Sequence, residues 1–387
     1  MIRNFETHSS SLAFSTSCKK DEYVLGENIM PILYLTKEMP SARYIPGGDP
    51  KSNGHFGQLK LLLSEMKFLI DILSKITDEE EQKKIIIIYV GSAPFIHGKL
   101  LLKMFPYINW YLIDPAPFDQ EIVKYSKNEN TSGRVRYANE YFTDEFAKNI
   151  VSEYGDNMKI YFIGDHRREA YELSIEEDMN MQKNWIQIIK PIKSMVKFRP
   201  SWEKDEFSYI PGIIQIQQYA CESSTETRYT MDQADVDREI ILNAKEYEDQ
   251  MFHYNNCKRM QYHKYAEKFD NIIYSKKFIL QGLDHCGDCC GFLRICEMYF
   301  EASKNNKTFY QYDSIEDIVI DSISSSVFPG VNLAELYANQ QLKTLDHIID
   351  KLNNKLDMVY KSAKSINGIK RRRLYDKIDR MLGKIHK

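Results

Sequence analysis

Four charged residues sit where flanking apolar sequence should shield them from water. Lys60 lies inside an apolar stretch, Asp165 and Lys197 end or nearly end two β-branched runs, and Glu226 opens another. Two lysines and two carboxylates make a tunable proton acceptor. A lysine serves as a general base when burial and a second cation oppose its charge. Methyl transfer to a ribose 2′-hydroxyl needs such a base, because that alcohol is a poor nucleophile. Helical lysines are mostly solvated, so spacing alone does not bring the quartet together. A second group is Tyr89-Val90-Gly91-Ser92-Ala93-Pro94 with Asp114 and Asp165. Small residues let a ligand approach the backbone closely. Strand-end carboxylates can accept from ribose hydroxyls, or can simply cap the next helix. The combination suits an adenosine-containing methyl donor, S-adenosylmethionine. It is neither GxGxxG nor a Walker motif, so dinucleotide and nucleoside triphosphate sites lose support. GxSxG is also absent, which removes the usual signal for a serine hydrolase.

These residues need a frame. IIIIYV (85–90) is a continuous apolar run ending at a glycine, as expected of a central parallel strand. Similar runs occur at 110–114, 135–138, 159–165, 194–198 and 213–219, with helices expected near 97–105, 119–127, 142–153 and 176–190 between the first five. Strands alternating with helices predict an α/β fold with a mostly parallel sheet. Later strands, 226–231 and 276–282, lack intervening helices and are expected as antiparallel edge strands. The stretch 57–76 reads as a well-buried helix, 78–84 as a solvated connection, and 236–252 and 288–302 as long helices. A turn-rich stretch at 46–54 precedes the first helix. The sequence divides into an N-terminal arm and loop (1–50), a main domain (51–305) and a helical extension with a basic tail (306–387).

Composition sets the outer limits. The chain has 387 residues, 43% of them hydrophobic, which is enough for a full core. Its net charge of −3 excludes a polycation, yet residues 361–387 hold ten Lys/Arg against Asp376 and Asp379. That end suits a polyanion such as RNA. No run of about 18 apolar residues is present, so no membrane-spanning helix is expected, and the first residues lack a secretory signal pattern. Seven cysteines, an odd number, point to thiols in a reducing compartment. His285-Cys286-Gly287-Asp288-Cys289-Cys290 with Cys296 contains one CxxC, and Cys257 and His263 are the nearest further donors. A structural zinc site usually draws on two spaced pairs. A helix capped by Asp284 or Asp288 with packed thiols is the simpler account, and no metal is expected.

Several short words resemble one family. GQLKLLL (57–63), YVGSAP with His97 (89–97), LID (112–114), IGDHR (163–167), VKFRP (196–200) and TETR (225–228) occur in the order found in poxvirus cap-specific mRNA (nucleoside-2′-O-)methyltransferases. That family also supplies the small processivity subunit of poly(A) polymerase. The resemblance covers roughly residues 44–300. It implies a Rossmann-like methyltransferase using S-adenosylmethionine, with Lys60, Asp165, Lys197 and Glu226 as a catalytic tetrad and Lys197 as the base. It implies donor contacts at Gln58, Tyr89, Gly91, Ser92, Asp114, Ala138 and Asp165. Tyr44 and Trp202 would stack on a 7-methylguanine cap, with Glu248 and one of Glu203 or Asp205 accepting from the base edge. Arg199, Pro200, Ser201, Ser224 and Thr225 would line the RNA path. Capped mRNA and a viral poly(A) polymerase catalytic subunit are the implied partners. The implied location is the cytoplasmic viral factory, or the virion if the protein is packaged. A 2′-O-methyltransferase of ribosomal or transfer RNA would share the tetrad but have no use for Tyr44, Trp202 and Glu248 in these roles. Two departures stand out. Phe95 replaces the motif's second glycine, and Ala116 replaces an arginine. The AT-rich coding bias points to a large DNA virus outside the poxviruses.

Overall fold

The structure is a computed structural model, and it describes residues 24–25, 30–44, 54–127, 134–168, 172–220, 224–274 and 283–326. The strand expected at 276–282, most of the 46–54 turn stretch, and the helices and basic tail expected beyond 326 lie outside the described residues. In chain order the strands are β1 (Val24–Leu25), β2 (Tyr34–Leu35), β3 (Ile85–Val90), β4 (Asn109–Ile113), β5 (Val135–Ala138), β6 (Lys159–Gly164), β7 (Lys193–Phe198), β8 (Glu206–Tyr209), β9 (Ile213–Gln215), β10 (Thr227–Asp232), β11 (Ile240–Asn243) and β12 (Tyr262–His263). The helices are α1 (Gly54–Leu73), α2 (Glu79–Lys83), α3 (Gly98–Met104), α4 (Gln120–Lys127), α5 (Asp144–Tyr154), α6 (Glu172–Ile189), α7 (Ala244–Asn256), α8 (Asp270–Ile273), α9 (Gly287–Asn305) and α10 (Ile315–Ser326).

Eight strands form one sheet in the order β2-β9-β10-β7-β6-β3-β4-β5. The five from β7 to β5 are parallel neighbours. On the other side β10, β9 and β2 add antiparallel edge strands. The chain winds outward from β3 through β4 to β5, then returns to the other side of β3 at β6. This is the doubly wound, Rossmann-like order, and the crevice between the carboxyl ends of β3 and β6 is its topological switch point.

Strand periodicity explains the two cores. Ile85, Ile87 and Tyr89 face one core, packed against α1, α3, α9 and α10. Ile86, Ile88 and Val90 face the other, with α5, α6 and α7. Both faces of β3 are buried, so its sequence is an unbroken apolar run rather than an alternation. Each buried isoleucine contributes about 1.5–3 kcal/mol. Phe309, Ile318, Val319 and Ile323 join the core beneath α1, so the described part of the C-terminal region packs with the sheet.

Several boundaries differ from the sequence reading. Residues 240–243 form β11, paired antiparallel with β8, and the helix expected from 236 begins only at Ala244. Asn243 caps it, accepting from the Glu246 amide. The charged run 78–84 folds as α2, capped by Asp78, because Gln82 on its inner side is buried and donates to Ile76 O and Thr308 Oγ1. The strand expected over 213–219 stops at Gln215. Among the thiols, Cys286, Cys289, Cys290 and Cys296 are reduced and buried, whereas Cys257 is disulfide-bonded, contrary to the expectation of thiols throughout.

Candidate functional site

The four charged residues of the expected tetrad converge, and a fifth joins them. Lys197, near the end of β7, has its Nζ 3.1 Å from Asp165 Oδ1 and 3.8 Å from Glu226 Oε2. Lys60 on α1 reaches Glu226 Oε1 at 3.2 Å. Arg228 was not foreseen. Its guanidinium lies 2.6 Å from Asp165 Oδ1, and the residue is 2% exposed. Residues two apart on a strand share a face, so Arg228 follows Glu226 inward. In the antiparallel register it stands directly opposite Lys197. That alternation is the signal that would have found it.

The cluster holds three cations, Lys60, Lys197 and Arg228, around two carboxylates. Burial pushes the Asp165 carboxyl up, but Arg228 and Lys197 outweigh it and hold the group below its ordinary value. Burial likewise opposes ionisation of Glu226, and Lys197, Lys60 and Arg228 together carry it well below the carboxylate range. Both carboxylates are therefore anionic, and Arg167 acts on Glu226 in the same direction.

The donor-side residues collect at the carboxyl ends of β3 to β6. Gly91 has φ +76°, and a Cβ there would meet His166 N at 2.5 Å, so the position requires glycine. Ser92 Oγ is buried with no hydrogen-bond partner among the described residues. Asp114 accepts from the amides of Ala93 at 3.0 Å and Ala116 at 2.8 Å. Its own amide donates to Ala138 O at 3.1 Å. Ala116 thus supplies a backbone contact where the family has an arginine. Gln58 Oε1 lies 2.8 Å from His97 Nδ1. The Tyr89 hydroxyl donates to the buried Glu65. Phe95 does not crowd the crevice. It adopts φ +56°, the backbone region a glycine would favour, and buries its ring against Tyr89, His97 and Trp110.

His166, next to Asp165, packs its ring 4.8 Å from Trp185. Burial lowers its pKa to about 4, and Arg167 and Lys197 add to that. The folded value lies below the unfolded one, so this contribution to stability is full above about pH 6.5 and is lost as pH falls toward 4. The loss is on the order of 3 kcal/mol. Urea unfolding across that range should show a fall in stability that His166→Phe flattens; parallel curves would contradict it.

The residues expected at the cap also gather, though not as an open slot. The Tyr44 and Trp202 rings are 5.5 Å apart and tilted by 42°. A base stacked between two rings needs about 7 Å, two contacts of roughly 3.5 Å. The two rings touch each other, so they must part to admit one. Tyr44 is also packed edge-on to Phe252 of α7, and its amide donates to Asp249 Oδ1 at 2.8 Å. Trp202 is 48% exposed, its outer face covered by the Arg199 guanidinium at 4.2 Å. Glu172, a residue not singled out from sequence, ties this corner together. It pairs with Arg199 and accepts from the Trp202 amide at 3.0 Å. Glu248 is buried on α7, 3.2 Å from Lys245. Pro200 and Ser201 are buried, whereas Glu203 and Asp205 face solvent. Ser224 accepts from the Glu226 amide at 3.1 Å, and the buried Thr225 accepts from the Tyr247 hydroxyl. Arg199, Pro200, Ser201, Ser224 and Thr225 thus flank the ends of β7 and β10 beside the tetrad.

Away from this crevice, Asp284, Cys286 and Cys289 bring their donor atoms within 4.8 Å of one another at the start of α9. Among the described residues these three donors stand together, one fewer than the four of a typical structural zinc site. His285 is paired instead with Asp270 at 2.8 Å.

Cap-specific mRNA (nucleoside-2′-O-)methyltransferases of myxoma virus, strains Lausanne and Uriarra, are each 27% identical over 221 residues. The match covers 51% of this chain and 60% of each relative. Among solved structures, bluetongue virus VP4, described as a multifunctional RNA-capping production line, aligns with TM-score 0.37 and 16% identity over 59% of this chain and 35% of that one. A likeness that loose carries no argument. Residues 30–289 match the family model described as Poly A polymerase regulatory subunit, a span that includes every tetrad, donor-side and cap-side residue above. The chain belongs to the poly(A) polymerase regulatory subunit family.

Proposed function

We propose that the protein transfers a methyl group from S-adenosylmethionine to the ribose 2′-hydroxyl of the first transcribed nucleotide of capped mRNA. The observation that carries this reading is Lys197 Nζ, bracketed by Asp165 and Glu226 in the cluster. Lys197 Nζ takes the proton of the 2′-hydroxyl. To do so it acts as the neutral amine; Asp165, anchored by Arg228, orients that amine, and Glu226 holds Lys60 beside it. Positioning of this kind, rather than a covalent step on the protein, provides the acceleration. The donor, when bound, supplies the electrophilic methyl. Gln58, Tyr89, Gly91, Ser92, Asp114, Ala138 and Asp165 would hold it, and the buried, unpartnered Ser92 hydroxyl fits a polar ligand there. The names of the myxoma virus relatives support the same reaction and the same substrate.

The test is methyl transfer from labelled S-adenosylmethionine to a short capped RNA, with uncapped RNA alongside. Transfer to capped RNA only is the expected result. Transfer to both RNAs would favour a non-cap substrate. Trp202→Ala should weaken binding of a methylated cap analogue by about tenfold, the counterpart of 1–2 kcal/mol for a cation stacked on a ring. Unchanged affinity by fluorescence titration would exclude Trp202 from cap stacking.

The family match favours a second role, as a partner of a poly(A) polymerase catalytic subunit that binds RNA during tailing. Stimulation of polyadenylation that survives Lys197→Met would support it, and failure to stimulate would refute it.

A further inference from the structure

Behind the donor side of the crevice lies a polar chain whose two inner, buried members, Glu65 and His97, have been given no role above. Helix α1 carries two polar lines. Lys60, Ser64 and Lys67 follow one another at helical spacing toward the edge strands. Gln58 and Glu65, seven residues apart, share the other side of the helix and point toward the end of β3. Glu65 and His97 are each 1% exposed. Glu65 Oε2 lies 2.7 Å from His97 Nε2, and Glu65 Oε1 accepts from the Tyr89 hydroxyl. The other ring nitrogen, His97 Nδ1, is 2.8 Å from Gln58 Oε1. The chain therefore runs Tyr89–Glu65–His97–Gln58, and both of its ends are residues on the donor side.

The hydrogen-bond directions are constrained. His97 Nδ1 faces an amide oxygen, so Nδ1 donates to it. His97 Nε2 and Glu65 Oε2 share one further hydrogen, and Glu65 Oε1 accepts from Tyr89. With its oxygen held by His97, the Gln58 amide has one orientation left, with its NH2 group turned away from the pair. Phe95 completes the enclosure, its ring centroid 5.3 Å from that of His97 and 5.7 Å from that of Tyr89.

We propose that the Glu65–His97 pair is a positioning element for the methyl donor. It fixes the Gln58 amide so that its donor group faces the ligand, and it anchors the Tyr89 ring behind it. Neither residue touches the ligand. This rests on the donor site proposed above.

Calorimetry with S-adenosylhomocysteine tests it on the full chain. Gln58 is half-buried at the edge of the site, and Gln58→Ala should weaken binding about tenfold, the worth of one hydrogen bond of 1–1.5 kcal/mol. His97→Gln should do the same and raise KM for the donor with little change in kcat. The decisive readout is the double variant. If His97 acts through Gln58, combining the two costs little more than either alone. Full additivity, or Gln58→Ala binding as tightly as the parent, overturns the proposal even if His97→Gln fails to fold. A parent protein that does not bind S-adenosylhomocysteine at all refutes the donor site itself, and this proposal with it.

Discussion

Lys197→Met should lower methyl transfer to capped RNA at least about a hundredfold, the low end of what a positioned general base contributes. Methionine keeps the length of the side chain and removes its nitrogen. Nothing else in the site is asked to accept the 2′-hydroxyl proton: Lys60 is given the role of positioning beside Glu226, and the Arg228 guanidinium stays protonated. Cap-analogue affinity should stay within about twofold, because the rings of Tyr44 and Trp202 lie on other segments. The measurement is single-turnover transfer alongside a cap titration. Transfer at the parent rate would remove Lys197 as the base. A parallel loss of cap binding would mean that the substitution disturbs the site as a whole.

Arg228→Met should be the most destabilising single change in the cluster, by about 3–5 kcal/mol, because it leaves a buried carboxylate without its closest cation. The pH dependence has a definite sign. Arg228 helps to hold Asp165 below its ordinary pKa, so its stabilising effect is complete above that range and is lost as pH falls through it. The gap between parent and variant should be widest near neutrality and should narrow below about pH 4, where Asp165 protonates in the variant and in the unfolded chain. Urea unfolding at pH 7 and at pH 4 measures both. A gap under about 1 kcal/mol at neutrality would show that Lys197 alone compensates Asp165.

The parts of the molecule that could be read from sequence are those where one physical rule acts alone. The β3 run is apolar throughout because both faces are buried, and Gly91 and Asp165 mark strand ends at a switch point that any doubly wound sheet uses. Where two rules compete, the reading slipped. Residues 240–243 alternate half-buried and exposed, which suits an edge strand, but their apolar content merges with the helix that follows. The charged α2 run looks solvated because only Gln82 turns inward. Arg228 sits on an interior strand, where apolar residues are the norm, and only its offset from Glu226 betrays it. Glu65 is hardest of all. Its partners Tyr89 and His97 are 24 and 32 residues away, and helical periodicity alone cannot distinguish a satisfied buried carboxylate from a solvated one. The cap-side rings were named by the resemblance, whereas their contact with each other depends on how residues 42–44 lie along α7.

The ring of Phe95 has a partner that is not a contact in the usual sense. A Cβ on Gly98 would come within 2.2 Å of that ring. The space Phe95 fills is the space that any larger residue at position 98 would need. The two positions are therefore sterically coupled. A glycine at 98 must be in place before a phenylalanine can settle at 95, and position 98 can grow only after 95 has shrunk. Enlarging position 98 alone will look forbidden, while the same change paired with a smaller residue at 95 remains open.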